Sequence, residues 1–466
     1  MKDVTAVVLA AGKGTRMKSA LPKLLHRAAG RPLIEFPVRA ALALGVAKVV
    51  VVTSGQEELD ARLRAAFGEQ VTTVVQDPPR GTGDAVRVGL TRVETERVLV
   101  LCGDTPLVTA RELESVVSAS RDAALAFVSA LLAEPAGYGR VLRHPDGRVL
   151  EIREEKDLRS DAERGVREVN AGIYAAEKVV LATAVANLQP MNAQGELYLT
   201  DVVAALAPGV RAVLAVVGSA DALVGVNDRS QLVAAEELLY ARIRERLGRE
   251  GVTVRGDARI DDSVTIAAGA EIEAGVSLRG STTLGAGCHI DVGSVLTDAT
   301  LGERVVVKPY SVITSSRVGD AAQIGPFAHL RPDSEIETEA HIGNFVETKK
   351  TRVRRGAKAN HLSYLGDGDV GERANIGAGT IFCNYDGYQK HRTVIGEGAF
   401  VGSDSQIVAP VTIGKGAFVA SGTTVTEDVP EDAMALGRVR QVNKAGYAAK
   451  LRERLSEEAR EAKKKK

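Results

Sequence analysis

From Ile260 to Leu296 an aliphatic residue returns at every sixth position, at Ile260, Ile266, Ile272, Leu278, Leu284, Ile290 and Leu296. A helix needs apolar residues three and four apart, and a half-buried strand needs them two apart, so neither accounts for a spacing of six. Short strands joined by tight, glycine-containing turns do. The spacing resumes at Val307 and Ile313, at Ile324, Leu330, Ile336 and Ile342, and from Ile395 through Val401, Ile407, Ile413 and Val419 to Val425, with one-residue slips near Leu301 and Val318. A period of six marks a parallel β-helix, in which each turn of chain points its aliphatic residues inward and hydrogen-bonds to the turns on either side. The absence of tryptophan and an aromatic content of 4% suit a coil filled by aliphatic side chains.

At 466 residues the chain exceeds one compact core, so two or three domains are expected, of which the repeat is one. Sixty Lys and Arg balance sixty Asp and Glu, which excludes the whole-chain basic field that draws proteins onto nucleic acid. The basic run Lys463–Lys466 reads as a solvated end. The three cysteines, Cys102, Cys288 and Cys383, are scattered and odd in number, which argues against a disulfide framework or a zinc site and for a reducing compartment. Val4–Ala11 is too short to span a membrane, lacks a signal-peptide cleavage pattern and leads into a glycine loop. A soluble cytoplasmic protein is expected, with neither membrane nor nucleic acid as partner.

Before the repeat, apolar runs at Val4–Leu9, Val49–Thr53, Val71–Val75, Val98–Leu101 and Leu125–Leu131 alternate with helical stretches Pro32–Leu44, Glu57–Phe67, Asp84–Arg92 and Arg111–Ser118. Such alternation implies a mainly parallel sheet covered on both faces, with ligands gathered beyond the carboxyl ends of the strands. Two polar junctions fall there, Gly12–Arg16 after the first strand and Gly103-Asp104 after Val98–Leu101. Taken alone, a short G-x-G is an ordinary tight turn. This one lacks both the third glycine of a dinucleotide fingerprint and the G-K-[ST] ending of a P-loop. Yet its glycines let backbone N–H groups approach phosphate oxygens, and Lys13, Arg16 and Lys23 supply positive charge, so a triphosphate suits this corner. Asp104 stands where it could hold Mg²⁺ against those phosphates, although a lone Asp at such a place is more often a cap or turn residue.

Leu9-Ala10-Ala11-Gly12-Lys13-Gly14-Thr15-Arg16-Met17 followed by Leu21-Pro22-Lys23, then Gln76, Gly81-Thr82 and Gly103-Asp104, resembles the sugar-nucleotide pyrophosphorylases. With the hexapeptide half, nearly the whole chain resembles the bacterial family of bifunctional N-acetylglucosamine-1-phosphate uridylyltransferases/glucosamine-1-phosphate acetyltransferases. The resemblance implies an α/β Rossmann-like nucleotidyltransferase domain plus a left-handed parallel β-helix. It further implies that Leu9, Ala10, Ala11, Gly12, Gln76, Gly81 and Thr82 hold the uridine, beside Gly103, with Arg16 and Lys23 on the triphosphate and Asp104 on Mg²⁺. Gly139, Glu154 and Asn170 match the sugar-contacting positions, and Asn227, in Gly225-Val226-Asn227-Asp228, matches the second metal ligand. Two departures bear on nucleotide contact: Cys102 precedes Gly103 where the family often has Tyr, and Gly83-Asp84 follows Thr82 where Ala-His is common.

Leu232, Ala235, Leu239, Ile243 and Leu247 recur at helical spacing and Gly248 is placed to end them, so 229–250 reads as a connecting helix between a nucleotidyltransferase domain at 1–228 and an acetyltransferase domain with its tail at 251–466. The repeat breaks at His361-Leu362-Ser363-Tyr364 and at an insertion reading Cys383-Asn384-Tyr385-Asp386-Gly387-Tyr388, and insertions from a solenoid line its binding surface. Arg331 and Lys349-Lys350 offer cations for a sugar phosphate. Of seven histidines His361 has the setting of a base: acetyl transfer to a sugar amine must remove a proton as nitrogen attacks, and imidazole suits that at neutral pH. The resemblance puts the family's base at His361, its sugar-phosphate contacts at Arg331, Lys349, Tyr364 and Asn375, and its acetyl-CoA contacts at Ala378, Asn384, Tyr385, Ser403, Ser421 and Arg438, with Ser421 standing where Ala is usual. It also implies a homotrimer with acetyl-transfer sites between neighbouring coils.

The expected protein is therefore an enzyme of two activities. It acetylates glucosamine 1-phosphate with acetyl-CoA and couples the product to UTP, giving UDP-N-acetylglucosamine for cell-wall synthesis. A pyrophosphorylase whose β-helix only assembles or regulates leaves His361, Asn384 and Tyr385 unexplained. A non-catalytic scaffold leaves Arg16, Lys23, Asp104 and Asn227 unexplained.

Overall fold

The structure, a computed structural model, describes residues 1–12, 14–223 and 225–464. Lys13 of the glycine loop and the last two lysines of the terminal run lie outside them. The chain divides into two compact units, Met1–Thr265 with Ser277–Ser281, and Ile266–Val276 with Thr282–Lys466.

The first unit runs β1 (Val4–Leu9), β2 (Arg27–Ala28), β3 (Arg31–Pro32), α1 (Glu35–Leu44), β4 (Lys48–Thr53), α2 (Glu57–Phe67), β5 (Val71–Val75), α3 (Thr82–Leu90), β6 (Arg97–Cys102), α4 (Ala110–Ala119) and β7 (Leu125–Leu131). It continues through β8 (Arg140–Arg143), β9 (Val149–Arg153), α5 (Asp161–Arg164), β10 (Glu168–Glu177), α6 (Lys178–Ala186), α7 (Asp201–Leu206), β11 (Val213–Val217) and α8 (Arg229–Arg249). The sheet order is β11-β7-β10-β6-β1-β4-β5. β1 pairs in parallel with β4 and β6, and β4 with β5, so all four release the chain at one edge. β10 runs antiparallel to β6 and β7.

Consecutive side chains of these strands bury on opposite faces, which is why the strands read as unbroken apolar runs. Ala6, Val8, Val49 and Val51 pack with Leu59 and Leu63 of α2 and with Leu113, Val116 and Val117 of α4. Val7, Val50, Val52, Val98 and Val100 pack on the other side with Val86 and Leu90 of α3 and with Leu181 and Val185 of α6. Thr109 and Glu112 form a capping box at the start of α4. The Asp228 side chain accepts from the Gln231 N–H to cap α8, which leaves Asn227 immediately outside the helix.

The second unit carries the repeat, apart from Ile260 and Leu278, as strands of two to four residues in parallel sheets, the expected left-handed β-helix. Ile272 faces Ile290, Ile290 faces Val307, Val307 faces Ile324 and Ile324 faces Ile342, so one coil takes 17 or 18 residues. The sequence slips have a physical cause. Leu296 to Leu301, Ile313 to Val318, Thr348 to Val353 and Leu365 to Val370 are the same corner on different coils, shortened by one residue. Asp298, Ser315, Lys350 and Asp367 close it at φ between 43° and 51°, a left-handed conformation that non-glycine residues adopt only where surrounding hydrogen bonds hold them. The Ser315 N–H donates to Thr297 O at 2.9 Å and the Asp367 N–H to Lys349 O at 2.9 Å, fixing each corner on the coil before it. Beyond the coil, α9 (Tyr447–Lys464) ends the described chain. Among the described residues no helix is long and apolar enough to cross a membrane.

Each inward aliphatic residue is clamped by coils hydrogen-bonded on both sides, so the coil cannot collapse around a deletion. Ile324, fully buried, should cost about 2–5 kcal/mol when cut to Ala, whereas Gln323→Ala on the outward face of the same strand should cost under about 0.5 kcal/mol. Denaturant unfolding of the two variants against the parent checks this difference.

Candidate active sites

In the first unit the candidate centre is built where β1 and β6 end. Gly14 sits at φ 61°, and a side chain there would overlap Lys23 Cβ, so the absence of one lets the loop lie against Lys23. Leu24, 7% exposed, anchors the turn that carries Lys23. Gly103 donates its N–H to Leu9 O at 2.9 Å, and a Cβ there would stand 2.9 Å from Ile34 Cδ1 and 3.0 Å from Leu9 O. The strand end therefore stays tight against β1, and Asp104 emerges beside Lys23.

Lys23 Nζ donates to Asp104 Oδ2 at 2.5 Å and to Asn227 Oδ1 at 2.9 Å, and Arg16 Nη2 donates to the same Asn227 oxygen at 2.8 Å. Val226 N–H donates to Asp104 O at 2.8 Å, which ties the segment before α8 to the end of β6. Four residues from three distant segments thus converge: two cations, one carboxylate and one amide oxygen. The oxygen pair, a carboxylate and a carbonyl aimed at one ammonium, is a donor set of the hard kind that Mg²⁺ takes. Ala10 and Ala11 are buried at the start of this loop, while Gly12 is exposed.

Gln76 follows β5, with its N–H donating to Thr53 O at 2.8 Å, and is 2% exposed. Its Nε2 donates to Gly81 O at 3.0 Å and to Asp84 Oδ2 at 2.9 Å. Gly81, at φ 114°, has room only because it lacks a Cβ, which would meet Leu197 O at 2.5 Å. Thr82 Oγ1 is turned away to accept from the Leu199 N–H at 2.9 Å. Among the described residues no hydrogen bond links this corner to the Lys23 group, although both stand at the carboxyl edge of the sheet.

Gly139 and Glu154 are neighbours, a Cβ on the glycine lying 3.3 Å from Glu154 Oε1, and Gly139 O accepts from the Asn170 N–H at 2.9 Å. The register of β10 on β7 slips between Asn170 and Tyr174, and Asn170 Oδ1 accepts from the Gly172 N–H at 3.0 Å within that slip. Burial, with the charges of Asp201 and Asp157 adding to it, pushes the Glu154 carboxyl up. Burial also pushes the Cys102 thiol up to about 12, which keeps it an inert packing group.

In the second unit the parallel register turns corner residues into columns. Asn344 faces His361 directly, and because Ala359 faces Ile376 and Ile376 faces Val401, which faces Val419, the column continues through Ala378 and Ser403 to Ser421. Gly377 and Gly402 permit the stacking, since a Cβ on either would meet the N of Ser403 or Ser421 at 2.5 Å. Arg438 Nη1 donates to Ser421 O at the far end. With about 4.8 Å between coils the column from His361 to Ser421 spans roughly 14 Å, a track for an extended ligand with the imidazole at one end.

His361 is exposed, and its Nδ1 lies 3.2 Å from Asn344 Oδ1. That oxygen favours the tautomer with hydrogen on Nδ1, leaving Nε2 as the free base. Sequence reasoning missed Asn344, although it precedes His361 by one coil. It also missed Lys390. Contact with Lys390, and then the charges of Arg331 and Lys350, push the Lys349 amine down, so these cations crowd one place suited to a phosphate. Arg331 is held by Glu347, Nη1 to Oε1 at 2.6 Å. In the insertion, Asn384 Nδ2 donates to Asp367 Oδ2 at 2.6 Å, and a Cβ on Gly366 would meet both that Nδ2 and Tyr364 Oη at 2.5 Å. Tyr364 and Asn384 therefore stand together over Gly366. Tyr385 is 61% exposed and donates through its Oη to Gly387 O at 2.6 Å. Asn375 faces Phe400 on the next coil.

Two family models match the chain: the MobA-like NTP transferase domain over residues 6–167, and the bacterial transferase hexapeptide, six repeats, over residues 392–427. A protein of Sorangium cellulosum (strain So ce56) named Bifunctional protein GlmU is 57% identical over 466 residues, with 98% of each chain covered. A protein of the same name from Anaeromyxobacter sp. (strain Fw109-5) is 50% identical over 454 residues, covering 96% of this chain and 93% of its own. Another, from Geobacter metallireducens, is 45% identical over 477 residues, covering 97% of this chain and 100% of its own. Similarity of this degree runs through both the phosphate corner and the coil, and the chain belongs to the GlmU family.

Proposed function

We infer that this chain is the bifunctional enzyme of UDP-N-acetylglucosamine synthesis, a nucleotidyltransferase and an N-acetyltransferase in one polypeptide. It acetylates glucosamine 1-phosphate with acetyl-CoA and then transfers UMP from UTP to N-acetylglucosamine 1-phosphate, releasing pyrophosphate. The observation that carries the division of labour is the pairing of two unlike constellations, Lys23 with Asp104, Asn227 and Arg16 in one unit, and His361 at the head of a column of small corner residues in the other.

In uridylyl transfer an oxygen of the sugar phosphate attacks the α-phosphorus of UTP in line, and the bond to the pyrophosphate oxygen breaks. The protein has little covalent work to do. Lys23 and Arg16 hold the triphosphate and offset the charge that spreads over its oxygens, and Gly12 and Gly14 let the backbone approach. Asp104 and Asn227 are the residues that would hold Mg²⁺, which when bound neutralises phosphate charge. Gln76 and Gly81 face the base, and Gly139, Glu154 and Asn170 the N-acetyl sugar.

In acetyl transfer His361 Nε2 takes a proton from the sugar amine as nitrogen attacks the thioester carbonyl. The carbon–sulfur bond breaks and coenzyme A leaves with a proton. Asn344 holds the imidazole in the right tautomer. Arg331, Lys349, Lys390 and Tyr364 receive the sugar phosphate, and the cofactor lies along Ala378, Asn384, Tyr385, Ser403, Ser421 and Arg438. The coils assemble as a homotrimer, and the enzyme works in the cytoplasm, where the product feeds cell-wall and lipopolysaccharide synthesis.

His361→Ala should lower coenzyme A release about 10²–10⁴-fold and leave pyrophosphate release from UTP and N-acetylglucosamine 1-phosphate intact. Asp104→Ala, or a chelator added to the parent, should do the reverse, with a loss of about 10² or more. Loss of both activities in either variant would contradict separate sites. Asn344→Ala should cut kcat for acetyl transfer by roughly tenfold with KM nearly unchanged, since Asn344 acts through the imidazole and not on substrate.

A further inference from the structure

Asp84, at the start of α3, is 1% exposed, an unusual place for a carboxylate. It is held from several directions. Its Oδ1 accepts from Arg87 Nε at 3.1 Å and from Arg87 Nη2, and faces Arg80 Nη2 at 3.5 Å, while its Oδ2 accepts from Gln76 Nε2 at 2.9 Å. Burial pushes the carboxyl up, but the hydrogen bonds from Gln76 and Arg87 and the charges of Arg87 and Arg80 outweigh it and hold it below its ordinary value. The group is therefore ionised and has no proton to give.

That fact settles the direction of the Gln76 amide. The second partner of Gln76 Nε2 is the Gly81 carbonyl at 3.0 Å, which also only accepts. Between two obligate acceptors the hydrogen-bearing end of the amide must face inward, because the reverse arrangement would set Oε1 against a carboxylate and a carbonyl. Both amide hydrogens are used. What Gln76 has left is Oε1, which takes no hydrogen bond from any described residue. With 2% of its surface exposed, Gln76 can offer a ligand one atom, not a face.

We propose that Asp84 is a positioning residue that fixes Gln76 with its carbonyl oxygen toward the nucleobase, so that this corner selects a base edge carrying a ring N–H over one carrying a lone pair. This rests on the reading that Gln76 faces the base of UTP. Uracil presents an N3–H to such an acceptor. Cytosine presents a lone pair at the same ring position, and a desolvated acceptor facing a lone pair is penalised far more than a missing contact. Without Asp84 the Gln76 amide has only the Gly81 carbonyl to satisfy. It is then free to turn its NH₂ outward for cytosine.

The test compares kcat/KM for pyrophosphate release with UTP and with CTP in the parent, Asp84→Asn, Asp84→Glu and Gln76→Ala, with the melting temperature of each. Asp84→Asn should lower the UTP:CTP ratio on the order of tenfold, and Gln76→Ala at least as far. Asp84→Glu, which keeps a carboxylate that can only accept, should retain more of the ratio than Asp84→Asn, whose amide can turn its NH₂ toward Gln76. Should Asp84→Asn melt below the assay temperature, Asp84→Ser carries the same expectation. An unchanged ratio in Asp84→Asn, with both nucleotides used equally less well, alongside a lowered ratio in Gln76→Ala, would overturn the role of Asp84 and leave the base site standing. An unchanged ratio in Gln76→Ala as well would place the base elsewhere and overturn both.

Discussion

Parallel strand pairing decides where chemistry can stand in both units of this protein. In the sheet it brings the ends of β1, β4, β5 and β6 to one edge, so that a loop after residue 9 meets a carboxylate at 104. In the coil it repeats each corner 17 or 18 residues later, or 25 where the insertion intervenes, so that residues with no sequence proximity become neighbours along one line. The small residues follow from this. Gly14, Gly103, Gly377 and Gly402 stand where a Cβ would collide with an adjacent strand or loop, and each collision would move a functional neighbour. A glycine at such a place sets the position of the polar side chain beside it.

The two constellations answer different chemical needs. Phosphoryl chemistry asks for charge fixed in advance, and on the function proposed above Lys23 supplies it. Its side chain is 12% exposed and its ammonium is pinned by two oxygens, so little reorganisation is left for the moment of reaction. Acetyl transfer asks for a proton acceptor in one tautomer beside a long groove. On the function proposed above, the Asn344–His361 pair answers the first demand and the corner column the second. Keeping them on separate scaffolds lets each be rigid in its own way.

Much of this was legible in the sequence because it depends on periodicity and on glycine. The spacing of six could come only from a coil, and the apolar runs before it only from a sheet buried on both faces. The convergence of Arg16, Lys23, Asp104 and Asn227 was expected from resemblance to a family, and the contacts among them add its geometry. Asn344 and Lys390 escaped notice for a physical reason. Their importance comes from pairing across a coil or a loop, and a one-dimensional reading follows only neighbours along the chain. β8, β9 and β10 also escaped, since an antiparallel excursion with a bulge at Asn170–Tyr174 lacks a clean alternation of apolar residues. The slips near Leu301 and Val318 are a shortened corner, which spacing along the chain does not reveal. Of the residues that depart from family habit, Cys102 packs against Gly172 and Asp84 braces Gln76. Nothing in the structure explains Ser421 over alanine.

The central claim is that two independent pockets serve two reactions. Calorimetric titration of UTP with Mg²⁺ into the full chain, alone and in the presence of saturating coenzyme A, tests it without relying on turnover. One UTP per chain in both titrations is the expected result, because ligands of two pockets that share no residue do not displace one another. Displacement of UTP by coenzyme A would contradict it.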